Sequence, residues 1–175
     1  MKIFITGFMG SGKTFIGSML AEKCAMRFID MDEMIEKRSG KTIAEIFHLQ
    51  GEPAFREAER EILQLIIKDT ENLVVSTGGG TVCFYDNLEV MNLNGTMVYL
   101  KLSPDLLFKR LSDNQQNRPL LTGHHDLKSF IEENLAKREH CYRQASIVVE
   151  VKEGDSVEYL CDKILKSLPE PPARI

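Results

Sequence analysis

The sequence has no excess of positive charge. Its 26 acidic residues outnumber its 22 lysines and arginines, which gives a formal net charge of −4 at pH 7. Proteins that bind nucleic acids or anionic membrane surfaces usually carry a basic excess, because they must neutralise phosphates. The charge balance therefore argues against both classes, and we expect any site for an anion to be local.

Long apolar runs and paired cysteines are also missing. Nowhere do about 18 apolar residues follow one another, as a membrane-spanning helix would require, and the apolar segment before Gly7 is too short for a secretion signal. No C-x-x-C pair occurs, so the sequence indicates neither a zinc site nor a redox dithiol. We expect a cytosolic protein with reduced, mostly buried thiols. Its four cysteines are Cys24, Cys83, Cys141 and Cys161.

Short apolar runs rich in β-branched residues alternate with longer stretches of helical period. The 175 residues, 43% of them hydrophobic, fit one soluble domain with its own core. The strand candidates are KIFIT, RFIDMD, NLVVST, GTMVYLKL and SIVVEV. Their apolar residues follow one another without alternation, which is typical of strands buried on both faces of a parallel sheet. The βαβαβ order predicts a doubly wound α/β fold that binds ligands at the carboxyl ends of its strands.

The first strand candidate runs directly into GFMGSGKTF, residues 7–15. This segment matches the pattern G-x-x-x-x-G-K-[ST], in which backbone N–H groups wrap a phosphate at the start of a helix. In that pattern the lysine, here Lys13, reaches the β- and γ-phosphates, and the hydroxyl of Thr14 binds magnesium. We therefore predict a site for a nucleoside triphosphate and Mg²⁺.

The other motifs of a GTP-dependent switch are absent. No glycine has an aspartate three residues before it, and N-K-x-D does not occur. A switch protein needs such groups to sense the γ-phosphate and to read guanine. The sequence instead favours a kinase with a small second substrate.

Two carboxylates lie at the end of the second strand candidate, in FIDMD. Asp30 and Asp32 are two residues apart, so we expect their side chains on the same side of the pleat. One could lie near the water shell of the metal, while the other accepts a proton from an acceptor hydroxyl. The alternative is that Asp32 only caps the helix that follows.

Two further segments place polar groups or bare backbone at the ends of predicted elements. In GEPAFREAER, Arg56 lies near the start of a helix that Pro53 opens, where it could bind an anion or simply pair with Glu52. In STGGG, three consecutive glycines at 78–80 follow a buried strand. They allow the backbone to approach a ligand with no side chain in the way.

A long polar segment, DNQQNRPLLTGHHD, carries Arg118 and has few apolar anchors. Long loops in compact domains are usually functional, and kinases use such lids to exclude water, so we expect a mobile lid at about residues 112–125. His124 and His125 point apart without a third ligand, which favours solvated side chains over a metal site. The next helix ends in KREHCYR, where Arg138 could bind an anion or only complement the helix dipole.

Together these segments resemble the shikimate kinase family of P-loop kinases, which are similar to nucleoside monophosphate kinases. The resemblance rests on GFMGSGKT, FIDMD, GEPAFREAE, STGGG, NRPLL and KREHCYRQA, in the family's order and approximate spacing, and covers about residues 1–168. It implies one kinase domain with a five-stranded parallel sheet in the order 2-3-1-4-5, flanked by helices, with a mobile lid. We expect residues 169–175 to be a flexible tail.

The implied reaction is ATP-dependent phosphorylation of the 3-hydroxyl of shikimate, with Mg²⁺. This reaction is a step of the pathway to chorismate and the aromatic amino acids. We expect a monomer that binds shikimate and ATP, and neither nucleic acid nor a membrane.

On the nucleotide side, the resemblance implies a cradle for the triphosphate formed by Gly10, Ser11, Gly12, Lys13, Thr14 and Phe15. Thr14 would bind magnesium directly and Asp30 through water, while Arg118 would reach ATP from the lid. Phe15 stands where family members often have threonine or serine, so only its backbone could bind a phosphate. The segment VKEGDS, 151–156, lacks the arginine or asparagine expected near adenine and stays unassigned.

On the acceptor side, the resemblance implies that shikimate is bound by Asp32, Arg56, Gly78, Gly79, Gly80 and Arg138. The two arginines would hold the carboxylate, because this planar group needs a planar partner with two donors, for which lysine substitutes poorly. Asp32 would bind the reacting hydroxyl as the proposed base. The candidate catalytic residues are therefore Lys13, Asp32 and Arg118.

Two alternatives stay open at this point. A related P-loop kinase for another polyol acid, such as gluconate, would share the loop and lid but lack the paired arginines at FRE and KRE around a triple glycine. A catalytically inactive nucleotide-binding regulator would keep the loop and lose the acceptor-site groups. None of those groups is missing from this sequence.

Overall fold

The computed structural model of the protein describes residues 1–112 and 126–169. The strands are β1 (Lys2–Thr6), β2 (Arg27–Asp30), β3 (Leu73–Ser76), β4 (Thr96–Lys101) and β5 (Ile147–Glu150). The helices are α1 (Lys13–Lys23), α2 (Met31–Ser39), α3 (Ile43–Lys68), α4 (Asn87–Asn94), α5 (Pro104–Ser112), α6 (Leu127–Tyr142) and α7 (Val157–Ser167), and a 3₁₀ turn spans Thr81–Cys83. In the described ranges, no helix has the length and apolar character needed to cross a membrane.

The strands form one parallel sheet in the order β2-β3-β1-β4-β5, which confirms the predicted fold. Parallel neighbours need crossover connections, and the helices of those crossovers cover both faces of the sheet. The carboxyl ends of β1, β2 and β3 therefore lie side by side at one edge. The segments that follow them, which carry the predicted site residues, must meet there.

The central strand supplies both faces of the core. Ile3 and Ile5 of β1 belong to one buried cluster, which includes residues of α1 and α7, whereas Phe4 belongs to a second cluster with residues of α3. Successive side chains of a strand point to opposite faces, so an unbroken apolar run is what a strand between two helical layers requires.

The two edge strands depart from the prediction that every strand is buried on both faces. In β5, Ile147 and Val149 are buried, but Val148 and Glu150 are exposed. In β2, no residue is fully buried. An edge strand has a neighbour on one side only and less helical cover, so an apolar run there does not ensure burial.

Helix α3 contains a break at Gly51, where φ is 80° and ψ is 172°. This backbone conformation is open to glycine and strongly disfavoured for other residues. Pro53 lies just beyond the break, in a first turn where its missing N–H group is not needed. The break confirms that a new helical segment begins there, and it places Arg56 one turn inside that segment.

All four cysteines are free thiols, as expected. Cys141 and Cys161 are buried, while Cys24 and Cys83 are only partly so. The prediction of mostly buried thiols therefore holds for two of the four.

Candidate active site

The phosphate loop lies between β1 and α1 and depends on glycine at three positions. Gly7, Gly10 and Gly12 have φ angles of 145°, 82° and 94°, which side chains rarely permit. A Cβ atom on Gly7 would also lie 2.8 Å from the carbonyl oxygen of Leu100 in β4. The loop leads into the start of α1, whose first N–H groups have no acceptor within the helix and can bind an anion.

Lys13 folds back across this loop. Its Nζ atom donates to the carbonyl oxygens of Gly7 and Phe8, at 2.9 Å and 3.0 Å. A cavity of about 430 Å³ is lined by residues 9–16 and extends towards Asp155. All the residues predicted to bind the triphosphate, 10–15, thus line one cavity.

Arg110 also lines this cavity and was not predicted from the sequence. It belongs to α5, and its Nη1 atom donates to the carbonyl oxygen of Ser11 at 3.2 Å. Helix α5 packs so closely on the loop that a Cβ atom on Gly10 would lie 2.9 Å from Leu111. No local motif marks Arg110, because only this long-range packing brings it to the site.

Asp30 joins the phosphate loop to the second strand. It ends β2 and caps α2, with its Oδ1 atom accepting from the N–H of Asp32 at 3.0 Å. Its Oδ2 atom accepts from the hydroxyl of Thr14 at 2.8 Å. The prediction that Asp30 and Asp32 share one side of a strand is wrong, because the strand ends at Asp30 and Asp32 lies in the first turn of α2. The capping residue is also Asp30 rather than Asp32.

Thr14 and Asp30 fit a magnesium ion. They supply hydroxyl and carboxylate oxygens, which Mg²⁺ prefers, at the edge of the phosphate cavity. In residues 1–112 and 126–169, no group of three or more His, Cys, Asp or Glu side chains is arranged to hold a metal by itself. A Mg²⁺ ion is usually bound by one or two protein groups together with phosphates and water.

Asp32 lies between the phosphate cavity and a second cavity, and it lines both. Its Oδ1 atom is buried and has no hydrogen-bond partner in the described part of the chain. Burial and the charge of Asp30 raise the pKa of Asp32 to about 6, while Lys13 opposes the shift. A buried carboxylate oxygen without a partner destabilises the fold, so its presence points to a ligand-binding role.

The second cavity has a volume of about 490 Å³ and lies beside the phosphate loop. The structure brings together in its lining all the predicted acceptor-site residues, namely Asp32, Arg56, Gly78, Gly79, Gly80 and Arg138. Another cavity, of about 820 Å³, lies between α5, α6 and the end of β5. None of the predicted site residues that the structure describes lines that larger cavity, so its size does not mark the reaction site.

Arg56 is only 6% exposed, although it does pair with Glu52 as the alternative reading proposed. Its Nη2 atom donates to Glu52 at 2.8 Å, and its Nη1 atom donates to Glu59 at 2.7 Å. The guanidinium lies 4.1 Å from the ring centroid of Phe84. A Cβ atom on Gly80 would lie 2.8 Å from Nη1, so the glycine loop can cover this arginine only because it lacks side chains.

Glu59 accepts a hydrogen bond from Arg56 and so helps to fix its guanidinium. This role was not predicted from the sequence. It is fully buried, and its second carboxylate oxygen accepts from the hydroxyl of Thr81. Burial raises the pKa of Glu59, and the charge of Arg56 opposes the shift. A glutamate three residues after an arginine on a helix is a common surface pair, so the spacing alone could not reveal a buried one.

Arg138 extends from α6 towards the phosphate loop, with its guanidinium carbon 5.6 Å from the ring centroid of Phe8. The alternative role for basic residues at this helix end suits Arg143 instead, which is exposed and donates to Glu139 at 2.8 Å. Arg118, His124 and His125 lie outside the described residues, so their predicted roles stay predictions.

Comparison with known proteins assigns the chain to a family. A family model described as shikimate kinase matches residues 9–169. A curated shikimate kinase from Azobacteroides pseudotrichonymphae genomovar. CFP2 is 48% identical over 168 residues, covering 93% of this chain and 99% of that protein.

Two solved structures are similar over nearly the whole chain. A shikimate kinase from Bacteroides thetaiotaomicron has a TM-score of 0.88 and 42% identity, covering 94% of this chain and 96% of that one. A shikimate kinase from Acinetobacter baumannii in complex with shikimate has a TM-score of 0.88 and 34% identity, covering 94% and 90%. With the family model and these relatives in agreement, the chain belongs to the shikimate kinase family.

Proposed function

We propose that this chain transfers the γ-phosphoryl group of ATP to the 3-hydroxyl of shikimate, giving shikimate 3-phosphate and ADP. This reaction is a step towards chorismate and the aromatic amino acids. The observation that carries the proposal is the acceptor cavity, where Arg56 and Arg138 meet Asp32 beside the phosphate loop. The guanidinium groups of Arg56 and Arg138 can donate in pairs to a carboxylate, and the carboxylate of Asp32 can accept a hydrogen bond from a hydroxyl. The cavity therefore suits a small polyhydroxy acid.

The nucleotide side uses residues 10–15 for the triphosphate. Lys13 exchanges its two carbonyl acceptors for phosphate oxygens. Thr14 would hold Mg²⁺ directly, and Asp30 would hold it through water. When bound, Mg²⁺ neutralises charge on the phosphate oxygens. Arg118 reaches ATP from the predicted lid.

On the acceptor side, Arg56 and Arg138 hold the carboxylate of shikimate, and the glycine loop offers its backbone. Asp32 accepts the proton of the 3-hydroxyl as that oxygen bonds to the γ-phosphorus. The bond from phosphorus to the β–γ bridging oxygen breaks, and its electron pair leaves on ADP. Because Asp32 lines both cavities, the hydroxyl that it binds faces the phosphate loop.

The proposal also covers the oligomeric state, the domain extent and the location of the chain. One chain lines both cavities, so a monomer can carry out the reaction, as a single kinase domain over residues 1–168. A cytosolic location suits its four free thiols. The inactive-regulator alternative is disfavoured because every predicted acceptor-site residue lies in the cavity lining.

The substrate is tested by coupled ADP release with MgATP and a panel of shikimate, quinate, gluconate and nucleoside monophosphates. We expect turnover with shikimate, and loss of that turnover when Mg²⁺ is chelated. Gluconate turnover without shikimate turnover would reject the assignment. Binding of ATP without phosphorylation of any acceptor would favour the regulator.

Arg56→Lys should raise the KM for shikimate by about 10- to 100-fold, the range of a lost charge-assisted hydrogen bond. Lysine keeps the charge but cannot offer two parallel donors to a carboxylate. The carboxylate is remote from the reacting hydroxyl, so the KM for ATP should stay unchanged. Steady-state kinetics with each substrate varied in turn measures both constants.

Arg60→Lys is the matched control for Arg56→Lys. Arg60 lies one turn further along α3, is partly exposed and pairs with Asp86 at 3.3 Å. This variant should leave both KM values within about two-fold of the unchanged chain, as expected for an exposed ion pair. An unchanged shikimate KM in Arg56→Lys would show that Arg56 has only a structural role.

A further inference from the structure

The glycine loop at residues 78–80 has all three of its carbonyl groups bound to the protein. The carbonyl of Gly78 accepts from the N–H of Thr81 at 3.3 Å, and that of Gly80 accepts from the N–H of Cys83 at 2.9 Å. Both contacts belong to the local turn. The carbonyl of Gly79 instead accepts from the hydroxyl of Tyr142, which is 63 residues away in the sequence.

The N–H groups of the same loop behave differently. In the described ranges, neither Gly79 nor Gly80 donates its N–H to a protein acceptor. Both residues line the acceptor cavity. A loop with bound carbonyls and available N–H groups presents hydrogen-bond donors, which suits an anionic ligand.

The contact with Tyr142 decides which way the peptide between Gly79 and Gly80 faces. In a trans peptide, the carbonyl of one residue and the N–H of the next point in opposite directions. Glycine backbones rotate easily, so without a fixed partner the Gly79 carbonyl could turn towards the cavity. Its negative end would then repel a carboxylate.

The hydroxyl of Tyr142 is itself held in place. The side chain is fully buried, and its ring stacks on that of Tyr99 with a centroid distance of 4.9 Å and an angle of 22°. Arg138 lies one helical turn before Tyr142, on the same face of α6. Burial raises the pKa of Tyr142, and the charge of Arg138 opposes this shift.

We propose that Tyr142 is a positioning residue for the carboxylate of the acceptor. Its hydroxyl holds the Gly79 carbonyl, which leaves the N–H of Gly80 free to donate to the substrate. This role rests on the proposed function, because it requires an anionic acceptor in the cavity.

Tyr142→Phe tests the role, since it removes the hydroxyl and keeps the ring. We expect the KM for shikimate to rise about 3- to 10-fold, the effect of one neutral hydrogen bond. The KM for ATP and kcat should stay within about two-fold, because neither depends on the substrate carboxylate. An acceptor analogue with a hydroxymethyl group in place of the carboxylate should show no change in kcat/KM between the two proteins.

Tyr99→Phe is the matched control. Tyr99 belongs to the same stacked pair, and its hydroxyl donates to Glu139 at 2.6 Å outside the acceptor cavity. Both variants should lose similar thermal stability, but only Tyr142→Phe should raise the shikimate KM. An unchanged KM in Tyr142→Phe, or an equal rise in both variants, would overturn the proposal. Absence of shikimate turnover by the unchanged chain would instead reject the proposed function on which it rests.

Discussion

Replacing Asp32 by asparagine is expected to lower kcat by about 10²- to 10⁴-fold, with a much smaller change in the KM for shikimate. Asparagine keeps the size of the side chain and can still bind the hydroxyl. It cannot accept the proton, and it removes the negative charge beside the reacting oxygen. The buried Oδ1 atom, which has no hydrogen-bond partner in residues 1–112 and 126–169, is the structural reason to expect this loss. Steady-state kinetics at saturating MgATP measures it.

The control for Asp32→Asn is Glu33→Gln, the same chemical change at the next residue of α2. Glu33 is exposed and lies 3.8 Å from Lys37, so its replacement should leave kcat unchanged within about two-fold. Phosphoryl transfer with a loose transition state needs little proton removal until late. If Asp32→Asn kept full kcat and changed only KM, Asp32 would be a substrate anchor and not a base.

Lys13→Met should lower kcat by about 10²- to 10³-fold, the range seen when one preorganised donor to a developing anion is removed. Methionine fills a similar volume without the ammonium group. The Nζ atom of Lys13 donates to the carbonyl oxygens of Gly7 and Phe8, so it already lies at the phosphate cavity. The loss should appear in single-turnover experiments as well, because it affects the chemical step.

Lys23→Met provides the comparison for Lys13→Met on the same helix. Lys23 lies at the other end of α1 and pairs with Asp162 at 2.7 Å, away from both cavities. Its replacement should affect stability slightly and kcat by less than about two-fold. Comparable losses in the two variants would indicate a general disturbance of α1, and near-normal turnover in Lys13→Met would exclude its catalytic role.

The sequence was most informative where a function depends on neighbouring residues. The phosphate loop needs glycines, a lysine and a threonine at fixed spacing, because one turn of backbone and the helix that follows create the site. The parallel sheet could likewise be predicted from its unbroken apolar runs. The prediction that each strand is buried on both faces was least accurate at β5, where Val148 is 45% exposed. An apolar run does not show whether its strand lies in the middle or at the edge of the sheet.

The junction after β2 shows a second limit. Asp30 and Asp32 were correctly singled out, but their geometry was wrong, because the residue at which a strand gives way to a helix is poorly marked locally. The structure assigns the cap and the Thr14 contact to Asp30, and to Asp32 a buried oxygen that has no partner among the described residues. The separate roles that we propose for them follow from that difference.

The sequence by itself determined the family, the parallel α/β fold and the set of polar residues expected at the acceptor site. Only the tertiary structure decided how these residues are held. Glu59 behind Arg56, Arg110 on the phosphate loop and the Tyr142 hydroxyl on Gly79 all act through contacts or burial that no local pattern marks. The physical reason is that a side chain's chemistry is set by its neighbours in space, and for buried groups those neighbours come from distant parts of the chain.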